Sequence, residues 1–168
     1  MERKQAPVVL QFVGYSDSGK TTMLERLIPL LREAGKRIGV IKHDGHDFEI
    51  DQEGKDTWRY RQAGAEIVAI QSATKTAWIQ QRAVPLEQLV ERMAEAGAEL
   101  ILVEGFKREG FPKLVFLRRP EDCVLLEQVS QIIAVVCWES ALDEVKEQAY
   151  PRFSIDDAAG VARFILQR

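Results

Sequence analysis

No asparagine occurs in the 168 residues of this chain, and histidine and cysteine appear only twice each. The first absence excludes every motif whose chemistry needs an asparagine amide. The cysteines, Cys123 and Cys137, form no C-x-x-C pair and lie in apolar surroundings. They read as small buried hydrophobes of a reducing cytoplasm rather than as a disulfide framework or thiolate metal site. A basic excess is also missing, since 23 Lys and Arg face 26 Asp and Glu for a formal charge of −3, which argues against a nucleic-acid partner. No apolar run approaches the ~20 residues that span a bilayer, and the charged start Met1-Glu2-Arg3-Lys4-Gln5 does not open a signal peptide. A soluble, cytoplasmic protein without a membrane partner is expected. With 46% hydrophobic residues the chain can bury a core without staples, and residues 1–168 are expected to form one domain.

What is present begins with Gly14-Tyr15-Ser16-Asp17-Ser18-Gly19-Lys20-Thr21, a full G-x-x-x-x-G-K-[ST] match followed by Thr22. Val8-Val9-Leu10-Gln11-Phe12-Val13 before it reads as a buried strand, and Thr22 to Ile28 after it starts an amphipathic helix. Strand, glycine loop and helix together make a phosphate site of the pattern. The glycines let backbone N–H groups turn inward as an anion nest, and the helix adds its positive end. Lys20 would reach the β- and γ-phosphates of a nucleotide, and the Thr21 hydroxyl would ligate Mg²⁺.

Further along, strands are expected at Arg37–Lys42, Glu66–Ile70, Lys75–Gln80, Leu100–Val103, Lys113–Leu117 and Gln131–Trp138, the third antiparallel to the second. Helices are expected at about Lys55–Gln62, at Leu86–Met93 behind Pro85, and at Ile155–Leu166 with Ser154 or Asp156 as its cap. Pro29 should kink the first helix. The alternation predicts an α/β fold of the P-loop NTPase type: a mostly parallel twisted sheet, helices on both faces, and some antiparallel strands.

Ligands of such sheets bind beyond the carboxyl ends of the strands. That rule gathers the Gly14 loop, His43–Asp51, Glu104-Gly105-Phe106-Lys107 and Trp138-Glu139-Ser140 on one rim. Glu104 is placed to be the second Mg²⁺ acid, with Asp44 as its competitor. The base is open between guanine and adenine, because the Asn-Lys-x-Asp reader of many GTP-binding proteins is absent. Any guanine contact falls to Trp138–Asp143 or Arg152–Asp156. Both histidines, His43 and His46, sit in the polar stretch after the second strand. It reads as a metal site, as a nucleotide-ordered switch loop, or as a solvated loop. Lys55, Arg59 and Arg61 form a basic helix face that a second anion could use.

Four segments in order resemble the MobB family, molybdopterin-guanine dinucleotide biosynthesis protein B, over essentially the whole chain. They are Gly14-x-Ser16-x-Ser18-Gly19-Lys20-Thr21-Thr22; Lys42-His43-x-x-His46 with Asp51; Gly54-Lys55-Asp56-Thr57 leading to Arg61-x-Ala63-Gly64-Ala65; and Val103-Glu104-Gly105-Phe106-Lys107. The second and third carry the resemblance, since many families share the first. It implies a GTP-binding protein with weak GTPase activity, often a homodimer, that helps attach GMP to molybdenum-bound molybdopterin. The implied partners are the guanylyltransferase MobA and, as a further candidate, the molybdenum-inserting MoeA. Lys20 and Glu104 would be the catalytic pair, with Thr21 and Glu104 on Mg²⁺. Lys42, Lys55, Arg59, Arg61 and Lys107, with His43 and His46 beside them, would be candidates for the anionic pterin phosphate. Position 45 departs from the family's adjacent histidines, being Gly45. The alternatives are a small-molecule kinase, a non-catalytic adaptor shaped by nucleotide, and a metallochaperone-type GTPase using His43 and His46.

Overall fold

Runs of β-branched and aliphatic residues buried on both faces can sit only in the interior of a covered sheet. The computed structural model, which describes residues 6–141, 145 and 150–168, places them there. Met1–Gln5 and Asp143 lie outside the described residues. β1 (Val8–Gly14), β2 (Ile38–Lys42), β5 (Leu100–Glu104), β6 (Lys113–Leu117), β7 (Ile132–Cys137) and β8 (Arg152–Ser154) form a six-stranded sheet. Its order is β2-β5-β1-β6-β7-β8, and every pairing is parallel. β3 (Ile67–Gln71) and β4 (Thr76–Gln80) form a separate antiparallel hairpin. The fold is therefore the expected α/β class, a P-loop-like sheet with a small antiparallel addition.

Side chains alternate across β1, so its two faces meet different partners. Leu10 and Phe12 join Leu102, Leu114, Phe116 and Val136 beneath α1 (Lys20–Glu33) and α5 (Ala158–Leu166). On the other face Val13 packs with Val115, Leu117 and Val135 under α4 (Leu125–Gln128). Val9 packs there with Ile101, Val103 and Leu86 of α3 (Leu86–Glu95). Between those two clusters β1 points Gln11, which is fully buried.

Gln11 is buried because residues 105–112 cross that seam. β5 and β6 are parallel and lie on opposite sides of β1. A crossover between parallel strands usually carries a helix over the sheet; this one is an irregular loop whose backbone needs partners. Gln11 Nε2 donates to Gly105 O at 3.2 Å and Phe106 O at 2.6 Å, while its Oε1 accepts from Phe111 N at 3.1 Å. Lys113, the register partner of Gln11 in β6, is also fully buried. Its ammonium donates to Phe111 O at 3.0 Å and to Glu109 O. Two polar residues in apolar strands thus stand in for a crossover helix.

Local expectations fared unevenly. α1 runs from Lys20 to Glu33 as one helix through Pro29, which lies on its exposed side. The last helix begins later than expected, at Ala158, and its cap is Asp157, whose carboxylate accepts from Gly160 N at 2.8 Å. Ser154 is still part of β8, and the Asp156 carboxylate pairs with Arg26 at 3.2 Å, so neither caps it.

The residues fall into two compact units, 44–85 and the remainder, a division not drawn from the sequence. The smaller unit holds α2 (Asp56–Gln62) and the β3–β4 hairpin. Asp51 organises it: its carboxylate accepts from Thr57 Oγ1 at 2.7 Å and from Arg61 Nε at 3.3 Å. Arg61 also reaches Glu49 at 2.8 Å, and that hydrogen bond is the main reason its pKa is raised.

Gln11→Leu would strip the Gly105 carbonyl and the Phe111 N–H of their amide partner and leave Phe106 O with Glu109 N alone, and it is expected to lower stability by about 2–3 kcal/mol, read from the urea midpoint. Burial lowers the Lys113 pKa below its ordinary 10.5, against an opposing pull from Glu109. A lysine with a depressed folded pKa binds fewer protons folded than unfolded, so it makes stability rise with pH between the lowered value and 10.5. Urea melts across that window should show Lys113→Met losing this upward slope relative to the parent chain.

Candidate phosphate-loop site

Because all six strands run the same way, their carboxyl ends share one edge. Gly14 ends β1, Lys42 ends β2 ahead of His43, Glu104 ends β5, and Trp138 follows β7. Arg118, one residue beyond β6, joins them there and was not foreseen. The only hint in the sequence was its place directly after an apolar strand.

The loop after β1 folds back on its own lysine. Lys20 Nζ donates to Gly14 O at 3.2 Å, Tyr15 O at 2.7 Å and Ser18 Oγ at 3.2 Å, so the ammonium is held within the turn. Burial lowers its pKa below the ordinary value, and the nearby Glu104 carboxylate offsets part of that shift. Gly14 has no room for a side chain, since a Cβ there would lie 2.6 Å from Ser18 Oγ and 2.9 Å from Phe116 O. Gly19 starts α1 with φ of 94°, and no side chain caps the helix. Uncapped N–H groups at a helix start are anion donors. Asp17 also takes a left-handed φ of 57°. Tyr15, Ser16 and Asp17 are exposed at the crown, Ser18 is buried, and Thr22 faces out from the first helical turn.

Glu104, the residue expected to be the second acid, lies beside Thr21. Thr21 Oγ1 donates to Glu104 Oε1 at 3.0 Å. Glu104 is anchored through its strand, and the chain beyond it is held by Gly105 N donating to Phe12 O at 3.0 Å. A hydroxyl and a carboxylate side by side make the oxygen pair that a hard divalent cation takes. Lys107 lies with its ammonium 4.3 Å from the Tyr15 ring centroid, at the lip of the loop. His43 packs its ring on Phe106, centroids 4.5 Å apart, and donates its backbone N–H to Glu104 O. Lys42 is the ladder neighbour of Glu104.

The other residues singled out belong to the smaller unit. Asp44 is exposed and accepts from His46 N at 3.2 Å, a turn within its own loop. Lys55 is exposed beside α2, and Arg59 pairs with Asp56 at 3.8 Å. Arg61 is committed to Asp51 and Glu49. Among the described residues, no group of three or more His, Cys, Asp and Glu side chains is arranged to hold a metal ion. Of the residues suggested for the base, Asp156 pairs with Arg26 at 3.2 Å and Arg152–Ser154 form β8. Cys137 is buried with its thiol pushed up to about 11, chiefly by that burial, while Cys123 is half-buried. No helix among the described residues is long and apolar enough to cross a membrane.

A parallel sheet carrying a glycine loop, a lysine folded into it, and a Thr–Glu pair at one edge defines a P-loop-like α/β protein. The family model for MobB, molybdopterin guanine dinucleotide synthesis protein B, matches residues 9–138. The molybdopterin-guanine dinucleotide biosynthesis adapter protein of Escherichia coli is 39% identical over 168 residues, 95% of this chain and 91% of that one. The probable adapter protein of Bacillus subtilis is 36% identical over 155 residues, 91% and 88% of the two chains. The crystal structure of Bacillus subtilis MobB matches with a TM-score of 0.80 at 34% identity, covering 95% of this chain and 97% of that one. A MobB homolog from Bacillus stearothermophilus matches with a TM-score of 0.75 at 29% identity, covering 95% of each. This chain belongs to the MobB family.

Gly14→Ala would force a methyl group against the Phe116 carbonyl, a backbone atom that cannot step aside. A loss of about 1–3 kcal/mol is expected from such overpacking, measurable as a lower thermal midpoint.

Proposed function

We propose that this protein is an adapter in the assembly of molybdopterin-guanine dinucleotide, and that it binds GTP with Mg²⁺ at the phosphate loop. The observation that carries the nucleotide reading is Lys20 held inside the loop beside the Thr21–Glu104 pair. The adapter reading is supported by the similarity to the adapter protein of Escherichia coli and the probable adapter protein of Bacillus subtilis. Guanine is favoured through the family resemblance, although the Asn-Lys-x-Asp reader of many GTP-binding proteins is absent from the chain.

In this reading the polyphosphate takes over the Lys20 ammonium from the loop oxygens that now engage it. Thr21 and Glu104 would hold Mg²⁺, which would neutralise charge on the phosphates. Hydrolysis is attack of a water oxygen on the γ-phosphorus, with cleavage of its bond to the β–γ bridging oxygen, giving GDP and phosphate. Lys20 and the loop amides stabilise the charge that develops. Gln11 is not available to orient the water, because both ends of its amide serve the crossover. Turnover by the protein alone is therefore slow, and a partner such as the guanylyltransferase MobA, with MoeA as a second candidate, completes the site. Lys42 and Lys107 on the same edge are the preferred contacts for an anionic pterin phosphate, with Lys55 and Arg59 as further candidates. Arg61 is less suited, being ion-paired within its own unit. Ile67, Ile70 and Trp78 are exposed on the hairpin, and this supports a homodimer formed through it.

Competition between GTP and ATP in the presence of Mg²⁺ should favour GTP, and Lys20→Ala should weaken binding by at least about tenfold. γ-Labelled GTP should release free phosphate slowly. Label transferred to an organic acceptor would make the protein a kinase, and unchanged affinity in Lys20→Ala would remove the nucleotide assignment.

A further inference from the structure

Two side chains from neighbouring strand ends take consecutive carbonyls of the phosphate loop. The Trp138 indole Nε1 donates to Ser18 O at 3.0 Å, and Arg118 donates from its guanidinium to Asp17 O at 3.2 Å. They support each other, with the guanidinium carbon 5.3 Å from the Trp138 ring centroid. Both are fixed from behind. Trp138 N donates to Leu117 O at 2.9 Å, extending the ladder by one bond. The Arg118 backbone donates to Asp122 Oδ2 at 2.8 Å and accepts from Ser140 Oγ at 2.5 Å. Ile155 closes the same side, its Cδ1 so near that a Cβ on Gly19 would come within 2.7 Å.

The consequence follows from the planarity of the peptide unit. In a trans peptide the C=O and the next N–H point in opposite directions. Drawing the carbonyls of Asp17 and Ser18 toward β6 and β7 therefore turns the N–H groups of Ser18 and Gly19 the other way. Asp17 and Gly19, both in left-handed conformation with Ser18 between them, are the alternation that makes successive N–H groups converge on an anion. A free loop would sample other peptide orientations, and each would turn a carbonyl toward the phosphate.

We infer that Trp138 and Arg118 are positioning residues that preset the loop amides of Ser18 and Gly19 for a polyphosphate. This deepens the phosphate-loop reading and rests on it. The pair touches loop backbone, and its effect on affinity is exerted through those amides. Trp138 is consequently a built-in reporter of loop occupancy, since its indole N–H is bonded to the segment that closes on the ligand.

Trp138→Phe keeps an aromatic ring in the packing, smaller than the indole, and removes the N–H donor. Its affinity for Mg²⁺–GTP and for inorganic triphosphate should fall about fivefold to tenfold, the value of one lost hydrogen bond. KM should rise with kcat little changed. In a Trp58→Phe, Trp78→Phe background Trp138 is the sole tryptophan, and triphosphate should change its emission. Adding Lys20→Ala to that background should abolish the response. Trp138→Phe binding triphosphate within twofold of the parent, while Lys20→Ala does not bind, would overturn the positioning role and leave the phosphate site standing. Lys20→Ala binding as well as the parent would remove the foundation of both. Should Trp138→Phe fail to fold, the emission titration decides by itself, and a silent Trp138 at saturating triphosphate overturns the inference.

Discussion

The register of β1 against β5 is the constraint on which the candidate site depends. Phe12 lies opposite Glu104 in a parallel ladder, so the acid ends its strand just below the level of the glycine loop. A one-residue slip would turn the carboxylate to the other face of the sheet. The hydrogen bond from Thr21 would then be lost, and with it the oxygen pair at the loop. Apolar packing accompanies that register: Leu10 packs with Leu102 on one face, and Val9 with Ile101 and Val103 on the other.

That packing is interrupted at one place, and the interruption has a purpose within the fold. Gln11 and Lys113 face the crossover that carries Phe106 and Lys107, and they bond its backbone rather than one another. A buried ammonium is costly when it is bonded only to neutral carbonyls, as its lowered pKa records. The return is a loop held close to the sheet without a helix. Phe106 can then keep a left-handed φ of 54° beside His43, and Lys107 stays at the lip of the phosphate loop.

The smaller unit gives the second distinctive sequence stretch a physical meaning. Gly54-Lys55-Asp56-Thr57 leading to Arg61 reads from sequence as a cluster of charge. In the structure Thr57 and Arg61, one helical turn apart, close on Asp51 and tie the preceding segment to α2. Its hairpin is different in kind. Ile67, Ile70 and Trp78 remain exposed, and a lone pair of strands has marginal stability in water.

Local signals were sufficient for most elements. The spacing Gly14 to Thr21 and the apolar runs of β1, β5, β6 and β7 each carry their own conformation, because strand burial and glycine freedom act within a few residues. Glu104 was legible for the same reason, as an acid ending an apolar run. The cap at Asp157 was not, because the pull of β7 on Arg152–Ser154 is a contact across the sheet that moves the helix start. Gln11, Lys113, Arg118 and Trp138 acquire their roles only when distant backbone is brought against them. What the sequence by itself determined was the loop, its lysine and the class of sheet. Which side chains hold that loop open, and which of the many charges stand beside it, was decided by the parallel strand order, since partners about 100 residues away in Arg118 and Trp138 meet it only after folding.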